Sequence, residues 1–265
     1  MNEQLMSVLA CPDDHHFPLE FNGSDEGSLT CPECLRVFQV RQGIPMLLSK
    51  EELLIEERWW ALAPEPVAGR HFMRTDPNQL TAPIRIRTRD EAVLAGNSAL
   101  DVGCATCIDY PLYRGTGLFY VGVDITYRLV AGALTYYPDT PVVQGDAKYL
   151  PFKSRSFDSV YCKDFLIHLP PGGYKKALEE MWRVADKKMM IQWWGSNIDI
   201  AKQCKHKKGN EGTDFNVYWS YYTKNQIMAV INNLPDFDGL TTEQVSWEGL
   251  PNEPSYRAFW VIHKK

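Results

Sequence analysis

Four short apolar runs, each leading into a polar or acidic residue, constrain this chain of 265 residues more than any other feature. The first run covers residues 98–102 and stops at Gly103 and a stretch of small residues. Parallel strands that are buried on both faces look like this where they turn into a helix. Gly103 suits such a turn because it has no Cβ and lets a ligand approach the backbone. Asp101, near the end of the run, is placed to accept a hydrogen bond from a ligand's amino group.

The other three runs follow at helix-length intervals. They are residues 118–124, 142–147 and 157–162, and they carry or precede Asp124, Asp146 and the pair Lys163-Asp164. Asp124 comes 23 residues after Asp101, and in nucleotide-binding α/β units an acid at about this interval binds the ribose hydroxyls. We therefore predict an α/β fold with a doubly wound sheet and ligand-binding groups at its carboxyl edge. Four unrelated core strands are the alternative.

The series resembles the class I S-adenosylmethionine-dependent methyltransferases. Residues 101–107, Asp-Val-Gly-Cys-Ala-Thr-Cys, are similar to the Asp-x-Gly-x-Gly-x-Gly loop of that family, with Ala105 and Cys107 at the second and third glycine positions. A cysteine at 107 is then expected to need space near the methionine tail of the cofactor. Residues 150–152 and 156–160 resemble the fourth motif of that family and the segment that leads into it. The resemblance runs from about residue 80 to the end and implies a seven-stranded Rossmann-like methyltransferase sheet.

The resemblance also implies which residues bind S-adenosylmethionine. They are Asp101, Gly103, Cys104, Ala105, Asp124, Ile125, Asp146, Ala147 and Lys163. Within this set Asp124 falls where the family binds the ribose, and Asp146 where an acid meets the adenine amino group. The loop over residues 164–168 falls where the family builds the wall beside the transferable methyl group. His168 is therefore the candidate general base, because an imidazole titrates near neutral pH. A histidine that only packs against the next helix is the alternative.

Residues 1–49 form a separate unit. Cys11-Pro-Asp-Asp-His-His and Cys31-Pro-Glu-Cys34 lie twenty residues apart, around a turn-rich stretch. Two knuckles at this separation indicate a small zinc-ribbon-like β domain, and residues 42–48 read as an apolar strand that closes it. The unit resembles the small zinc-ribbon family whose eukaryotic member activates tRNA, rRNA and release-factor methyltransferases.

The first knuckle departs from the usual Cys-x-x-Cys of that family, because Asp14 stands at its second position. Cys11, Cys31 and Cys34 then need a fourth ligand from Asp14, His15 or His16, and we take His15 as the candidate. Three thiolates and one imidazole suit a structural zinc. A ribbon that has lost its metal and folds on its apolar residues is the alternative.

The rest of the chain is predicted more coarsely. Residues 50–80 are expected to be a linker that opens with an amphipathic helix over 51–60, and residues 81–265 the methyltransferase domain. Arg85, Arg87 and Arg89 open a helix before the first strand, and a solvated face is favoured for them over a cover for the cofactor. Residues 174–184 and 223–232 are predicted helices, 187–194 a fifth strand, and 239–247 with 256–263 an antiparallel closing pair.

Aromatic residues flank a lysine-rich insertion over residues 195–213. They are Trp193, Trp194, Trp219, Tyr221 and Tyr222. Because they follow the fifth strand, they predict an acceptor pocket that holds a planar or cationic substrate by stacking and cation–π contact. Burial in the core is the default alternative for such residues.

Composition narrows the functional classes. A net charge of −5 argues against broad nucleic-acid binding, which rests on phosphate neutralisation. The sequence has no apolar run long enough to span a membrane and no secretory signal, and its odd number of cysteines, seven, fits a reducing cytoplasm. The favoured function is O- or N-methylation of a small molecule. The alternatives are an RNA methyltransferase that uses the ribbon for binding, and a peptide or protein methyltransferase or non-catalytic cofactor-binding protein.

Overall fold

The computed structural model describes residues 2–13, 15–23, 26–49, 83–170, 172–196, 200–207, 214–245 and 255–265. The helix expected over residues 51–60, Asp14, and the side chain of Trp219 lie outside this description. The described helices are α1 Glu3–Val8, α2 Pro83–Ala95, α3 Tyr110–Tyr113, α4 Tyr127–Tyr136, α5 Gly173–Val184 and α6 Lys224–Ile231. The strands are β1 Glu20–Gly23, β2 Gly27–Thr30, β3 Val37–Arg41, β4 Ile44–Leu47, β5 Ser98–Val102, β6 Phe119–Asp124, β7 Val142–Gly145, β8 Phe157–Lys163, β9 Ala185–Ser196, β10 Ile200–Lys207, β11 Asp214–Tyr221, β12 Phe237–Val245 and β13 Ser255–Lys264.

The predicted methyltransferase sheet is present. Its strands follow the order β7-β6-β5-β8-β9-β13-β12. The first five are parallel neighbours, and β13 pairs antiparallel with both β9 and β12. The order reverses beside β5, and in open parallel sheets ligands bind outside the carboxyl ends of the strands at such a switch point. The doubly wound seven-stranded prediction is confirmed.

The ribbon continues the same sheet. Its strands pair antiparallel from β1 to β4, and β4 then pairs in parallel with β7, with Met46 opposite Gln144 and Leu47 opposite Gly145. This pairing joins a β-meander to the edge of the parallel sheet, so the described strands β1 to β4 add four members to the methyltransferase sheet. Nothing in the local sequence predicted it.

Backbone contacts and a shared core also join the ribbon to the rest. The Ala10 amide donates to the Pro151 carbonyl at 2.9 Å, and the Lys153 amide donates to the Val8 carbonyl at 2.9 Å. Leu9 and Phe152, which face each other in an isolated bridge, are both fully buried. Side chains of both units belong to one apolar cluster, so the segment just after β7 rests on the ribbon.

The sequence between β9 and α6 is more regular than expected. The insertion contributes the strand β10, which pairs antiparallel with β11 in a two-stranded sheet. The end of β11 is held against the turn after β8. The Ser220 hydroxyl donates to the Leu169 carbonyl, and the Tyr222 hydroxyl donates to the Leu166 carbonyl. Thr223 then caps α6 in a capping box with Gln226.

Candidate active site and metal centre

The turn after β5 depends on Gly103. Its φ is 71°, in the left-handed region that favours glycine. The amides of Gly103 and Cys104 both donate to the Val123 carbonyl, at 2.9 and 3.1 Å, which fixes the turn against β6. A Cβ on Gly103 would overlap the ring of Phe165. The turn therefore lies between the end of β6 and the loop after β8.

The two positions that lack the family's glycines keep a glycine-like backbone. Ala105 has φ 50° and Cys107 has φ 54°, both left-handed. Cys107 is fully buried, and its Sγ lies 2.6 Å from the position of a Cβ built on Gly122. The thiol thus packs into the core beside β6. The sequence-based expectation that it needs space near the cofactor's methionine tail is not met, because the side chain takes its space from the glycine of the neighbouring strand.

Asp124 anchors the next part of the site. Its carboxylate accepts a hydrogen bond from the Ala105 amide at 3.0 Å and another from the Thr126 amide at 3.0 Å. Burial raises the pKa of this carboxyl, and the two amides lower it. Ile125, which follows, is half-buried and accepts a hydrogen bond through its carbonyl from the Gln144 side chain at 2.9 Å. Asp124 thereby connects β6 to residues 103–109 after β5, the predicted cofactor loop, and its ribose contact stays a prediction.

Asp146 and Ala147 follow the end of β7 and are both buried. One carboxylate oxygen of Asp146 accepts the Lys148 amide at 2.9 Å, and the other lies 3.7 Å from the Lys148 ammonium. Together with Asp101, Gly103, Cys104, Ala105, Asp124 and Ile125, these residues lie at the carboxyl ends of β5, β6 and β7. The fold therefore brings the predicted residues of these three strands to one edge, and their cofactor contacts stay predictions.

Buried charges support the cofactor loop from the other side. Asp109, in this loop, forms ion pairs with both Lys163 and Arg85. Asp101 accepts a hydrogen bond from the Tyr120 hydroxyl at 2.8 Å, and burial raises its pKa, which Lys163 lowers in turn. Burial lowers the pKa of Lys163 to about 7, although the nearby Asp101 raises it. Lys163 thus lies under the loop as part of a mixed-charge cluster.

The solvated-face reading is wrong for Arg85. Its side chain is 19% exposed and is held by Asp109, because α2 packs its first turn beside the cofactor loop. Arg87 and Arg89 fit that reading, since they pair with Glu91 and Asp90 on the outer face of α2.

His168 ends a short 3-10 turn, Leu166–His168, in the loop after β8. Its amide donates to the Phe165 carbonyl at 2.9 Å, and its side chain is half-buried. Because the ring of Phe165 covers Gly103, this loop lies against the cofactor loop. The structure thus places His168 in the right loop, and its role as a base stays a prediction.

The aromatic residues that flank the insertion and have described side chains are all buried, in two apolar clusters, so the core alternative fits each of them: Trp193, Trp194, Tyr221 and Tyr222. Trp193 is 1% exposed and packs edge-on against Trp260, with ring centroids 5.3 Å apart, so the core reading holds for it. Trp194 contacts Tyr221 at 6.1 Å and shares a small apolar cluster with Ile167 of the turn that carries His168. Neighbouring residues of a strand face opposite ways, which explains the division. Tyr222 packs on Tyr174 of α5 at 4.4 Å.

The knuckles of the ribbon converge. One ligand atom each from Cys11, His15, Cys31 and Cys34 lies within 4.8 Å of the others. His16 turns away: its Nδ1 is 3.3 Å from the Cys11 carbonyl and its Nε2 is 3.9 Å from Glu180 of α5. The set of three thiols and one imidazole suits a structural, four-coordinate zinc, and the geometry favours His15 over His16 as the fourth ligand.

The surroundings of the thiols shift their pKa values in opposite directions, and those of Cys31 favour the thiolate. Burial raises the pKa of Cys11 well above its usual range. Burial also acts on Cys31, but the amides of Cys34 and Glu33 outweigh it and lower the pKa of that thiol. Amides that point at a sulfur in this way stabilise the thiolate, which is the form that binds a metal.

Sequence reasoning missed Asp109 and Arg257, and it favoured the wrong environment for Arg85. Asp109 and Arg85 form their ion pair across 24 positions, and Arg257 reaches the loop after β8 from β13. None of them belongs to a motif. The register of the closing strands would have suggested Arg257, since it lies directly opposite Trp194.

In the part of the chain that the structure describes, no helix is long and apolar enough to cross a membrane.

Two family models match the chain. Residues 100–188 match a methyltransferase domain, and residues 2–43 match the Trm112p-like protein family. A curated relative, the demethylmenaquinone methyltransferase of Renibacterium salmoninarum, is 35% identical over 89 residues. That match covers 34% of this chain and 37% of the relative, so the chain spans little more than a third of the relative's length.

Solved structures share the fold at low identity. The magnesium protoporphyrin IX methyltransferase of Synechocystis PCC 6803, with bound S-adenosylmethionine, is 16% identical over 77% of this chain and 92% of its own, with a TM-score of 0.53. The 1,6-didemethyltoxoflavin-N1-methyltransferase of Burkholderia thailandensis is 13% identical over 93% of this chain and 98% of its own, with a TM-score of 0.54. Residues 100–188 therefore resemble a methyltransferase domain, within a Rossmann-like fold, and residues 2–43 resemble the Trm112p-like family, so both resemblances found in the sequence are confirmed.

Proposed function

We propose that this protein is an S-adenosylmethionine-dependent methyltransferase and that its acceptor is a small molecule, methylated on oxygen or nitrogen. The observation that carries the proposal is the carboxyl edge of β5 to β7. There the Asp124 carboxylate accepts the amide of Ala105 in the glycine-turn loop, within the residues that match the methyltransferase model. An acid held this way is oriented to bind a ribose.

The chain contributes to methyl transfer mainly by positioning the cofactor and the acceptor. S-adenosylmethionine, when bound, supplies a methyl group that is already reactive toward nucleophiles. The chain must then hold the cofactor and exclude water from the reacting atoms, and proximity can supply most of the acceleration. We assign the ribose to Asp124 with Ile125 and the adenine to Asp146 with Ala147. The methionine part of the cofactor is assigned to the remaining predicted residues, which are Asp101, Gly103, Cys104, Ala105 and Lys163.

His168 is assigned the role of accepting the proton of an oxygen acceptor. Its turn shares apolar contacts with Trp194 and Tyr221, and its loop covers Gly103. A positioned base typically contributes about 10²–10⁴ in rate. His168→Ala should therefore lower turnover by about that factor and leave cofactor affinity nearly unchanged. Turnover equal to that of the parent would remove His168 as the base, either because the acceptor is an amine that needs no base or because His168 only packs.

Two observations favour a small acceptor. The proteins named above methylate demethylmenaquinone, magnesium protoporphyrin IX and 1,6-didemethyltoxoflavin, according to their names. The net charge of −5 provides little attraction for the phosphates of RNA.

The test of the acceptor class is transfer of labelled methyl from S-adenosylmethionine into a fractionated cell extract. Label in the small-molecule fraction supports the proposal. Label in RNA or in protein instead would overturn the acceptor class while keeping the enzyme a methyltransferase. No transfer, together with no binding of S-adenosylhomocysteine in a calorimeter, would overturn the activity itself.

The cofactor contact is tested separately. Asp124→Ala should weaken S-adenosylhomocysteine binding by about 1.5–3 kcal/mol, the scale of charge-assisted hydrogen bonds. Asp139→Ala is the matched control, because Asp139 is an exposed acid bonded to Tyr110 at 2.8 Å and lies outside the proposed site. Equal affinities for the two variants would exclude Asp124 from the site.

We also propose that Cys11, His15, Cys31 and Cys34 hold one zinc ion with a structural role. Methyl transfer needs no activated water, so a closed site of four protein ligands fits better than a catalytic one.

A further inference from the structure

We propose that Asp164 and Arg257, held in place by Trp194, form the acceptor-recognition site, and that the acceptor is a planar molecule with an acidic group and a hydroxyl or amine hydrogen. This inference rests on the proposed function and names the substrate class for it. We refer to the three residues as the Trp194 cluster.

The cluster is held by specific contacts. The indole Nε1 of Trp194 donates to Oδ1 of Asp164 at 2.7 Å, and the Gln192 side chain donates to the same oxygen at 3.3 Å. Arg257 lies opposite Trp194 in the pairing of β13 with β9. Its guanidinium carbon is 4.4 Å from the centre of the indole ring, and Nη2 is 3.5 Å from the same carboxylate oxygen. Trp194 therefore fixes both a carboxylate and a guanidinium.

The position of Asp164 places the cluster beside the cofactor loop. Lys163, which precedes it, pairs with Asp109 of that loop. Phe165, which follows it, covers Gly103. Asp164 itself has φ 52°, a left-handed conformation that is uncommon outside glycine, although aspartate adopts it more readily than most residues. Strain of this kind persists where the surroundings over-determine it, and it is concentrated at functional sites. Here the neighbours on both sides and two side-chain donors hold Asp164 in place.

The chemistry of the cluster selects the acceptor. The side chains of Asp164 and Arg257 are 43% and 25% exposed, so solvent and ligands reach both charges, whereas Trp194 is 8% exposed and acts through them. A guanidinium is a planar fork that binds a carboxylate with two parallel hydrogen bonds. Within the described residues, Trp194, Gln192 and Arg257 approach Asp164 at Oδ1, and a carboxylate has acceptor sites on both oxygens. Tyr221 and Ile167 are buried and pack the indole of Trp194 in place. A guanidinium also stacks on aromatic faces, as Arg257 does on Trp194, which suits a planar acceptor.

A purely structural role for the Trp194 cluster makes a different prediction. If the cluster only stabilised the ends of β9 and β13, changing Arg257 would alter the unfolding free energy without altering any preference between ligands. The decisive observable is therefore the preference between two ligands that differ only in one acidic group. A change in the unfolding free energy does not alter this preference.

The experiment measures binding to the protein saturated with S-adenosylhomocysteine. The probes are 4-hydroxybenzoate, 4-hydroxybenzamide, which lacks the negative charge, and benzoate, which lacks the hydroxyl. We expect the parent to bind 4-hydroxybenzoate about tenfold or more tightly than each of the others, since charge-assisted hydrogen bonds are the strong ones. Arg257→Gln should reduce the preference over the benzamide to about one, and Asp164→Asn should reduce the preference over benzoate.

Two further variants complete the test. Trp194→Phe removes the indole donor and should lower both preferences, as expected of a residue that positions the other two. Arg89→Gln changes an arginine of α2 that pairs with Asp90, and it should leave both preferences at the parental value. Affinity for S-adenosylhomocysteine, measured in each variant, confirms that the methyltransferase domain is folded.

The outcomes separate the two proposals. If S-adenosylhomocysteine binds and the parent shows no preference for 4-hydroxybenzoate, the acceptor site is wrong and the methyltransferase proposal stands. If Arg257→Gln keeps the parent's preference for 4-hydroxybenzoate over 4-hydroxybenzamide, the acceptor site is also wrong and the methyltransferase proposal stands. If S-adenosylhomocysteine fails to bind, both proposals fall together.

Discussion

The two ends of the sheet differ in size and in the side chains that their loops bring together. The ribbon is a thin meander of four-residue and five-residue strands, and its knuckles bring three thiols and an imidazole together. The methyltransferase half buries helices and strands on both faces, and it keeps a mixed cluster of charges at its cofactor edge. The ribbon has little apolar surface of its own, so we expect a metal ion to add to the core that it shares with the methyltransferase half, whereas the larger half tolerates buried charge and strained loops.

Both ends nevertheless place left-handed residues other than glycine in their functional loops. In the ribbon these include His16 and Leu35, which flank the knuckles, and in the methyltransferase half they include Ala105, Cys107 and Asp164. The difference lies in what holds them. We expect a metal ion to hold the first group, while ion pairs and backbone hydrogen bonds hold the second.

The largest expected effect is loss of the metal. Cys31→Ser should abolish zinc binding and unfold the ribbon, because structural zinc contributes about 10–16 kcal/mol of apparent binding free energy in small zinc domains. Metal analysis of protein purified without chelator should find one zinc per parent chain and well below one in the variant. Hydrogen exchange should show lost protection over residues 2–49.

The control for this prediction is Cys162→Ala, which removes a buried thiol of β8 far from the knuckles and should keep the zinc. Parent protein with little zinc and a protected ribbon would contradict the metal assignment. The comparison would then change, since both ends of the sheet would fold on apolar burial.

The next effect is at the junction between the two ends. Leu9 is fully buried against Phe152, so Leu9→Ala should cost about 2–5 kcal/mol of unfolding free energy. Leu94→Ala on α2, where the side chain is 76% exposed, should change it by less than about 0.5 kcal/mol. Urea unfolding followed by tryptophan fluorescence measures both. Because the sequence has no tryptophan before residue 59, a shift in this signal reports coupling across the junction.

A different result would separate the two units. If Leu9→Ala speeds hydrogen exchange in the ribbon and leaves the tryptophan transition where it was, the ribbon and the methyltransferase half unfold independently.

At both ends of the sheet, the sequence predicted the features that depend on neighbouring residues and not those that join distant ones. The strands β5 to β9 were found within two residues of their observed ends, because buried parallel strands form continuous apolar runs. The four candidate ligands were found because knuckle chemistry is local. The parallel pairing of β4 with β7, the Arg85–Asp109 ion pair and the Asp164–Arg257 contact join residues distant in the sequence, and no local pattern encodes such contacts. Strand β10 was not predicted because its lysine-rich sequence hides the alternation of a strand, whereas β11 does alternate, with Phe215, Val217, Trp219 and Tyr221, and was overlooked.

The charged edge gives a pH-dependent prediction. With the pKa of Lys163 lowered by burial to about 7 from 10.5, the folded protein binds fewer protons than the unfolded chain between these values. Stability therefore rises with pH in this window, by at most about 1.4 kcal/mol per pH unit, and is unaffected by Lys163 below it. Lys163→Met should remove this slope while Arg85 still neutralises Asp109.

Chemical unfolding at several pH values between 7 and 10 measures the slope for each protein. Lys175→Met, at an exposed position of α5, should behave like the parent. Parallel curves for the parent and Lys163→Met would show that Lys163 stays protonated throughout the window, as the ion pair with Asp109 alone would favour.

The smallest effect concerns strain in the cofactor loop. Ala105→Gly should relieve a left-handed alanine, worth about 1–2 kcal/mol, and lose about 0.4–1 kcal/mol because glycine makes the unfolded chain more flexible. The net expectation is a gain of about 0–1.6 kcal/mol. Ala131→Gly makes the same chemical change inside α4 and should instead cost about 1 kcal/mol. Opposite signs in urea unfolding would show that the methyltransferase half carries strain at the missing glycine, whereas destabilisation by both would show that alanine is accommodated there without cost. Cys107 is unsuitable for the same test, because glycine there would also leave a cavity beside Gly122 in the core.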